Sequence, residues 1–124
     1  MPKVVVGGAR IELRPDGIIH AVAEKRQKHT LEDAKAITAA VREMTGGKLL
    51  PMLLDMTVTG GVESAAQKYY NEQVSVSALA VMTTSSLGRV IGNFVVGMSE
   101  GQLPVRLFGD EASAVAWLKV QPKK

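Results

Sequence analysis

The stretch Lys48-Leu49-Leu50-Pro51-Met52-Leu53-Leu54-Asp55-Met56-Thr57-Val58-Thr59-Gly60-Gly61 decides how the chain folds. Its first half is an apolar run broken only by Pro51 and Asp55. A run that is apolar at successive positions, rather than at every second one, predicts a strand buried on both faces. Pro51 has no amide hydrogen to give to a sheet, so it belongs at the beginning of this strand, expected over 49–56. Turn-type residues follow, and a helical pattern opens at Val62. Strand, Gly-rich turn and helix make half of a βαβ unit. Such a strand needs a neighbour on each edge and helices over its faces.

Working outward toward the N-terminus, residues 30–47 supply the preceding helix. Thr30 and Asp33 have the spacing of a capping box, with Asp in the place of the usual Glu or Gln. Leu31, Ala34, Ile37, Val41 and Met44 recur at helical spacing as its buried side. Gly46-Gly47 end it. Before it, residues 9–13 alternate, with Ala9, Ile11 and Leu13 on one side and Arg10 and Glu12 on the other, the pattern of a half-exposed strand. Arg14-Pro15-Asp16-Gly17 is a turn, and 18–23 a second strand, so the two form an antiparallel hairpin. Val4 to Val6 either extends the first strand or stands alone.

Toward the C-terminus, 62–74 read as a helix with Val62, Ala65, Ala66, Tyr69, Tyr70 and Gln73 on one stripe. Residues 77–83 read as another buried strand. A third helix, capped by Ser85 or Ser86, carries Leu87, Val90, Ile91, Phe94, Val95 and Met98 on one face and ends at Gly101. Residues 104–108 form a short strand. Asp110 caps a last helix whose buried side is expected to hold Ala112, Val115, Ala116, Trp117 and Leu118, with Trp117 packed on the sheet. The order is β-β-α-β-α-β-α-β-α. Alternation after the hairpin implies right-handed crossovers and parallel strands, so the fold class is α/β: a mixed sheet with an N-terminal antiparallel hairpin, then alternating helices and parallel strands.

The chain of 124 residues is read as one domain, 1–124, large enough for a hydrophobic core. With no cysteine, disulfides and thiolate chemistry are excluded, and a reducing compartment is the natural setting. The apolar residues after Lys3 are too few for a signal-peptide core, and no run is long enough to cross a membrane, so the cytoplasm is expected. The net charge of +3 is spread along the chain, apart from residues 24–29 and the final Lys123-Lys124, and aromatics are only 4%. Nucleic-acid binding calls for a concentrated basic face with stacking aromatics, so no nucleic-acid partner is expected.

Three stretches carry a family resemblance. Leu53-Leu54-Asp55 ends a strand that follows a Gly-Lys turn. Ala78-Leu79-Ala80-Val81 leads into Ser86-Leu87-Gly88-Arg89-Val90-Ile91-Gly92-Asn93-Phe94. Pro104-Val105-Arg106-Leu107-Phe108 is followed by Ala114-Val115-Ala116-Trp117-Leu118. With the element order, these resemble the STAS fold of bacterial anti-sigma-factor antagonists. They resemble more closely a group of small bacterial STAS-like proteins, also likened to CRAL-TRIO lipid-transfer domains, that have no assigned function. Anti-sigma-factor antagonists carry Asp-Ser-Ser-Gly after the central strand, with a phosphorylated serine. Here that region holds Thr57, Thr59 and Ser64, none matching the motif, so the resemblance does not imply a phosphorylation switch.

Two regions are candidate sites. Asp55, Thr57, Thr59, Gly60 and Gly61 lie at a strand's carboxyl end and a helix N-terminus, where anions and other ligands are favoured, with Tyr69 as a further ligand-binding candidate. The plainer reading is a loop in which the glycines solve a backbone problem and Asp55 accepts loop N–H groups. Tyr69 and Tyr70 are adjacent and face different ways, so one packs and the other is open to contact. On the third helix, Arg89, Gly92, Asn93 and Val96 lie off the apolar stripe and are expected to form a homodimer interface; the plainer reading is a helix deeply buried within one subunit. His20 and His29 have no ligand spacing around them, so no metal is expected, nor any cofactor. No catalytic nucleophile arrangement is visible. Two functions follow: a non-enzymatic STAS-like interaction or regulatory module with a protein partner, or a binder of a small apolar or anionic ligand at the 57–61 end. A pocket lined by Met56, Tyr69 or Tyr70 and Met82 favours the ligand binder; a filled, flat surface favours the interaction module.

Overall fold

Gly7 and Gly8 turn the chain between β1 (Lys3–Val6) and β2 (Ala9–Leu13), which pair antiparallel with Val6 opposite Ala9. Their φ angles of 57° and 74° are those of a two-residue type I′ turn. The Val4–Val6 segment therefore stands alone as an edge strand. In a computed structural model the described residues are 3–24, 27–57, 62–73, 76–83 and 104–121. The Arg14–Gly17 turn closes with the Gly17 N–H donating to the Arg14 carbonyl at 3.0 Å. It leads into β3 (Ile19–Ala23), antiparallel to β2.

α1 (Leu31–Thr45) opens with the expected capping box: the Asp33 N–H donates to Thr30 Oγ1 at 3.2 Å, and the Thr30 N–H to Asp33 Oδ2 at 2.9 Å. β4 (Met52–Asp55), α2 (Ser64–Gln73), β5 (Leu79–Met82), β6 (Val105–Phe108) and α3 (Glu111–Lys119) follow. The strands form one sheet in the order β1-β2-β3-β4-β5-β6, and β3 to β6 run parallel. β4 is interior, as its sequence requires, but starts at Met52 rather than Leu49. The segment before it is held as connecting chain: the Leu50 carbonyl accepts from Ser77 N–H at 3.0 Å and the Pro51 carbonyl from Ile19 N–H at 2.9 Å. The helix expected between Ser85 and Gly101 lies outside the described residues.

Side-chain alternation along the strands builds two cores. On one face Ile11, Ile19, Met52, Leu79 and Val81 pack with Ile37 and Val41 of α1. On the other, Ile18, Leu53, Ala78 and Ala80 pack with Ala114 and Leu118 of α3. α3 therefore buries a narrower side than expected. Ala114 and Leu118, one helical step of four apart, are buried; Val115 and Trp117 are half-buried; Ala112 and Ala116 are exposed. Four consecutive residues cannot share one face of a helix, so the expected stripe was too broad. Similarly, Ala66 of α2 is buried while Ala65 is exposed.

Trp117 lies at the rim of the second core, its ring 5.7 Å from that of Phe108 with the planes tilted by 52°. Trp117→Ala is expected to lower unfolding free energy by about 2 kcal/mol, less than for a fully buried aromatic. Urea denaturation measures this, and a loss above about 4 kcal/mol would show that the ring is enclosed in solution.

Candidate functional site

The face of the sheet under α1 and α2 borders a partly open apolar cavity. Its floor comes from side chains of β2 to β5. Ala9 and Ala23 are opposite one another across β2 and β3, and Ala21 follows two positions before Ala23. All three are fully buried. Beside them, Met52, Leu54 and Met56 project from alternate positions along β4, and Leu79 from β5. Ile37, Thr38 and Val41 of α1 form one part of the roof, and Val62 and Tyr70 the other; His29 and Val76 complete the wall among the described residues. The cavity's volume is ≈ 60 Å³, and it is partly open to its surroundings. The physical cause is short side chains: three alanines stand where larger apolar residues would reach the helices.

Two polar groups sit beneath α2. Burial pushes the Tyr70 phenol well above its ordinary pKa, and the nearby Asp33 carboxylate pushes in the same direction. His29 is buried. Its carbonyl accepts from Glu63 N–H at 2.9 Å, and it forms a parallel bridge with Val62, which ties the start of α2 to the chain entering α1. At the other end of α2, Arg42 Nη2 donates to the Gln73 carbonyl at 3.0 Å and to Gln73 Oε1 at 3.1 Å.

Of the ligand-binding candidates among the described residues, Asp55, Thr57 and Tyr69, none lines this cavity. Asp55 alternates with Leu54 and Met56 and so lies on the opposite face of the sheet. Its Oδ1 accepts from the Thr57 N–H at 3.0 Å and from Thr57 Oγ1 at 2.7 Å, the bonding of an Asx turn. Tyr69 is half-buried, but Tyr70, not Tyr69, lines the cavity. Met82 packs with the second core. Thr59, Gly60 and Gly61 lie outside the described residues, as do the interface candidates Arg89, Gly92, Asn93 and Val96. Of the lining named from sequence, Met56 and Tyr70 are present. Ala9, Ala21 and Ala23 were missed as site residues. Their signal was alanine at three inward positions of paired strands, where β-branched residues usually stand.

Among the described residues no cluster of His, Asp and Glu has the arrangement of a metal site, and no helix is long and apolar enough to cross a membrane. No curated protein matches the chain. An uncharacterised protein of the DUF3478 family from Shewanella loihica PV-4, described as having a SpoIIAA-like fold, is similar in structure. The TM-score is 0.65 at 21% identity, over 95% of this chain and 98% of that one. A protein of unknown function from Arthrobacter sp. FB24 aligns over 90% of this chain and 99% of that one, at 28% identity and a TM-score of 0.37. The first likeness establishes the SpoIIAA-like, that is STAS-like, fold. Residues 11–121 match the family described as "Domain of unknown function (DUF7793)". The chain is thus a STAS-like α/β domain, and it belongs to the DUF7793 family.

Proposed function

We propose that this domain is a non-enzymatic binding module that takes a small, uncharged, apolar ligand between the sheet and the α1–α2 pair. The observation that carries the reading is the apolar cavity lined by Ala9, Ala21, Ala23, Met52, Met56 and Val41. Protein interiors are close-packed, so apolar side chains left facing an unfilled space are an energetic loss unless something covers them. Thr38, His29 and Tyr70 at the wall are suited to orienting one polar end of a ligand. Burial and the Asp33 carboxylate, which push the Tyr70 phenol upward, disfavour negative charge beside it, which points to a neutral ligand rather than an anion. The cysteine-free chain supports a cytoplasmic setting.

Xenon binding followed by methyl NMR tests this directly: shifts are expected to centre on Val41, Leu54 and Ile37. Ala21→Val fills the floor with a β-branched side chain that suits a strand. It is expected to raise unfolding free energy by up to about 1 kcal/mol and to weaken xenon binding at least tenfold. If Ala21→Val instead destabilises by about 1–3 kcal/mol, as overpacking does, the cavity is already filled in solution and the reading fails.

A further inference from the structure

We infer that Thr38 selects the ligand of this cavity, and that the ligand is a compact aliphatic alcohol whose hydroxyl pairs with that of Thr38. The inference rests on the ligand-binding reading above and names the chemical class for it.

Thr38 is out of place among its neighbours. It stands on the buried side of α1 with Ala34, Ile37 and Val41, is only 7% exposed, and lines the cavity beside Ile37 and Val41. A hydroxyl taken out of water costs free energy unless it is hydrogen-bonded. A threonine in a helix ordinarily meets that need by turning back to the carbonyl three or four residues earlier. Thr45, the other buried threonine of α1, does so: its Oγ1 donates to the Arg42 carbonyl at 3.4 Å. Thr38 does not. Among the described residues its Oγ1 bonds neither to the Ala34 or Lys35 carbonyl nor to any other group. The other two polar side chains of the wall are already engaged. Tyr70 lies beside the Asp33 carboxylate, and His29 has an interaction of its own within the protein. Of the three, Thr38 is the group whose bonding capacity is unused.

The surroundings decide what can use it. A lone water needs roughly two to four polar partners, whereas the floor facing Thr38 is made of Ala9, Ala21, Ala23, Met52, Met56 and Leu79. A molecule that brings one hydroxyl and its own carbons meets both demands. A hydroxyl both donates and accepts, so it pairs with Thr38 whichever of the two gives the hydrogen. Room sets the size. The cavity has ≈ 60 Å³, and a water-sized group takes about 10–15 Å³ of such room, so about four to six non-hydrogen atoms fit.

The probes are 2-methylpropan-1-ol and 2-methylbutane, both of this size, which differ only in a hydroxyl replaced by a methyl. Their affinities are read by titration of the Ile37 and Val41 methyl signals. Thr38→Val makes the same replacement on the protein side and keeps the branched Cβ. It is expected to weaken the alcohol roughly three- to tenfold and to leave the hydrocarbon unchanged or tighter, as the loss of one hydrogen bond does. Thr38→Ser keeps the hydroxyl and is expected to keep the preference for the alcohol. The urea midpoint of Thr38→Val is expected to equal or exceed that of the unmodified protein, because the hydroxyl removed has no partner inside it. A lowered midpoint would show that the hydroxyl is bonded within the protein in solution and would overturn the inference. So would a change of both probe affinities by the same factor, or of neither, and so would xenon binding without alcohol binding. If the unmodified protein binds neither probe nor xenon, the cavity reading itself falls, which is a separate result.

Discussion

Leu53→Ala is expected to lower the unfolding free energy by about 4 kcal/mol, toward the upper end of the range for a buried leucine. Leu53 is fully buried at the centre of β4 and points away from the cavity into the second core. The loss depends on how far the neighbours can close over the space left behind. Here they cannot. Ala78, Ala80 and Ala114, which surround it, have no side chain beyond Cβ to move inward. Ile18 and Leu118 are themselves fully packed. The site also holds α3 to the sheet, so the change loosens a whole helix. Urea unfolding measures the loss from the midpoint at constant slope. Leu53→Met keeps the volume and is expected to lose less than about 1.5 kcal/mol. A loss under about 1 kcal/mol for Leu53→Ala would mean that α3 does not cover this face in solution.

That result bears on what was readable from the residues. β4 was legible because Met52, Leu53 and Leu54 are apolar in succession, and only a strand covered on both faces needs that. α1 was legible because Thr30, Asp33 and Gly46 mark its ends and Ala34, Ile37 and Val41 its side. β1 was left open although Gly7-Gly8 is itself a hairpin signal, because Val4 to Val6 carries no polar alternation to set it apart. The side of α3 was misjudged because its alanines give no contrast: Ala112, Ala114 and Ala116 look alike in sequence, and only the sheet decides that Ala114 is covered. The cavity was hidden for a related reason. A void is a property of what the side chains opposite fail to reach, and β2, β3 and α1 come together only in the fold. Tyr70 could not be separated from Tyr69 because the rotation of α2 is set by its packing on α1, a tertiary contact with no local signature.

Gly7→Ala is the second change with a large expected effect, about 2–5 kcal/mol of destabilisation, and it separates two causes that glycine usually combines. Gly7 has a φ of 57° and Gly17 a φ of 84°. A side chain at either position meets the left-handed penalty of about 1–2 kcal/mol. The surroundings differ. A Cβ on Gly17 would meet nothing within 4 Å, whereas one on Gly7 would lie 2.7 Å from the Asp33 carbonyl oxygen and 3.1 Å from Ile37 Cγ1. The oxygen belongs to the backbone of α1 and cannot rotate aside, so either the β1–β2 turn or the helix must move, which adds about 1–3 kcal/mol as overpacking does. Gly17→Ala is therefore expected to show the conformational penalty alone, about 1–2 kcal/mol, and Gly7→Ala the sum. Equal losses in urea would show that the turn does not approach α1 this closely. The consequence extends to binding, because Ile37 lines the cavity. A helix pushed outward at Asp33 carries Ile37 with it and enlarges the void, so folded Gly7→Ala protein is expected to bind xenon with larger methyl shifts at Val41 and Leu54. Unchanged shifts in a destabilised Gly7→Ala protein would show that the turn, not α1, yields.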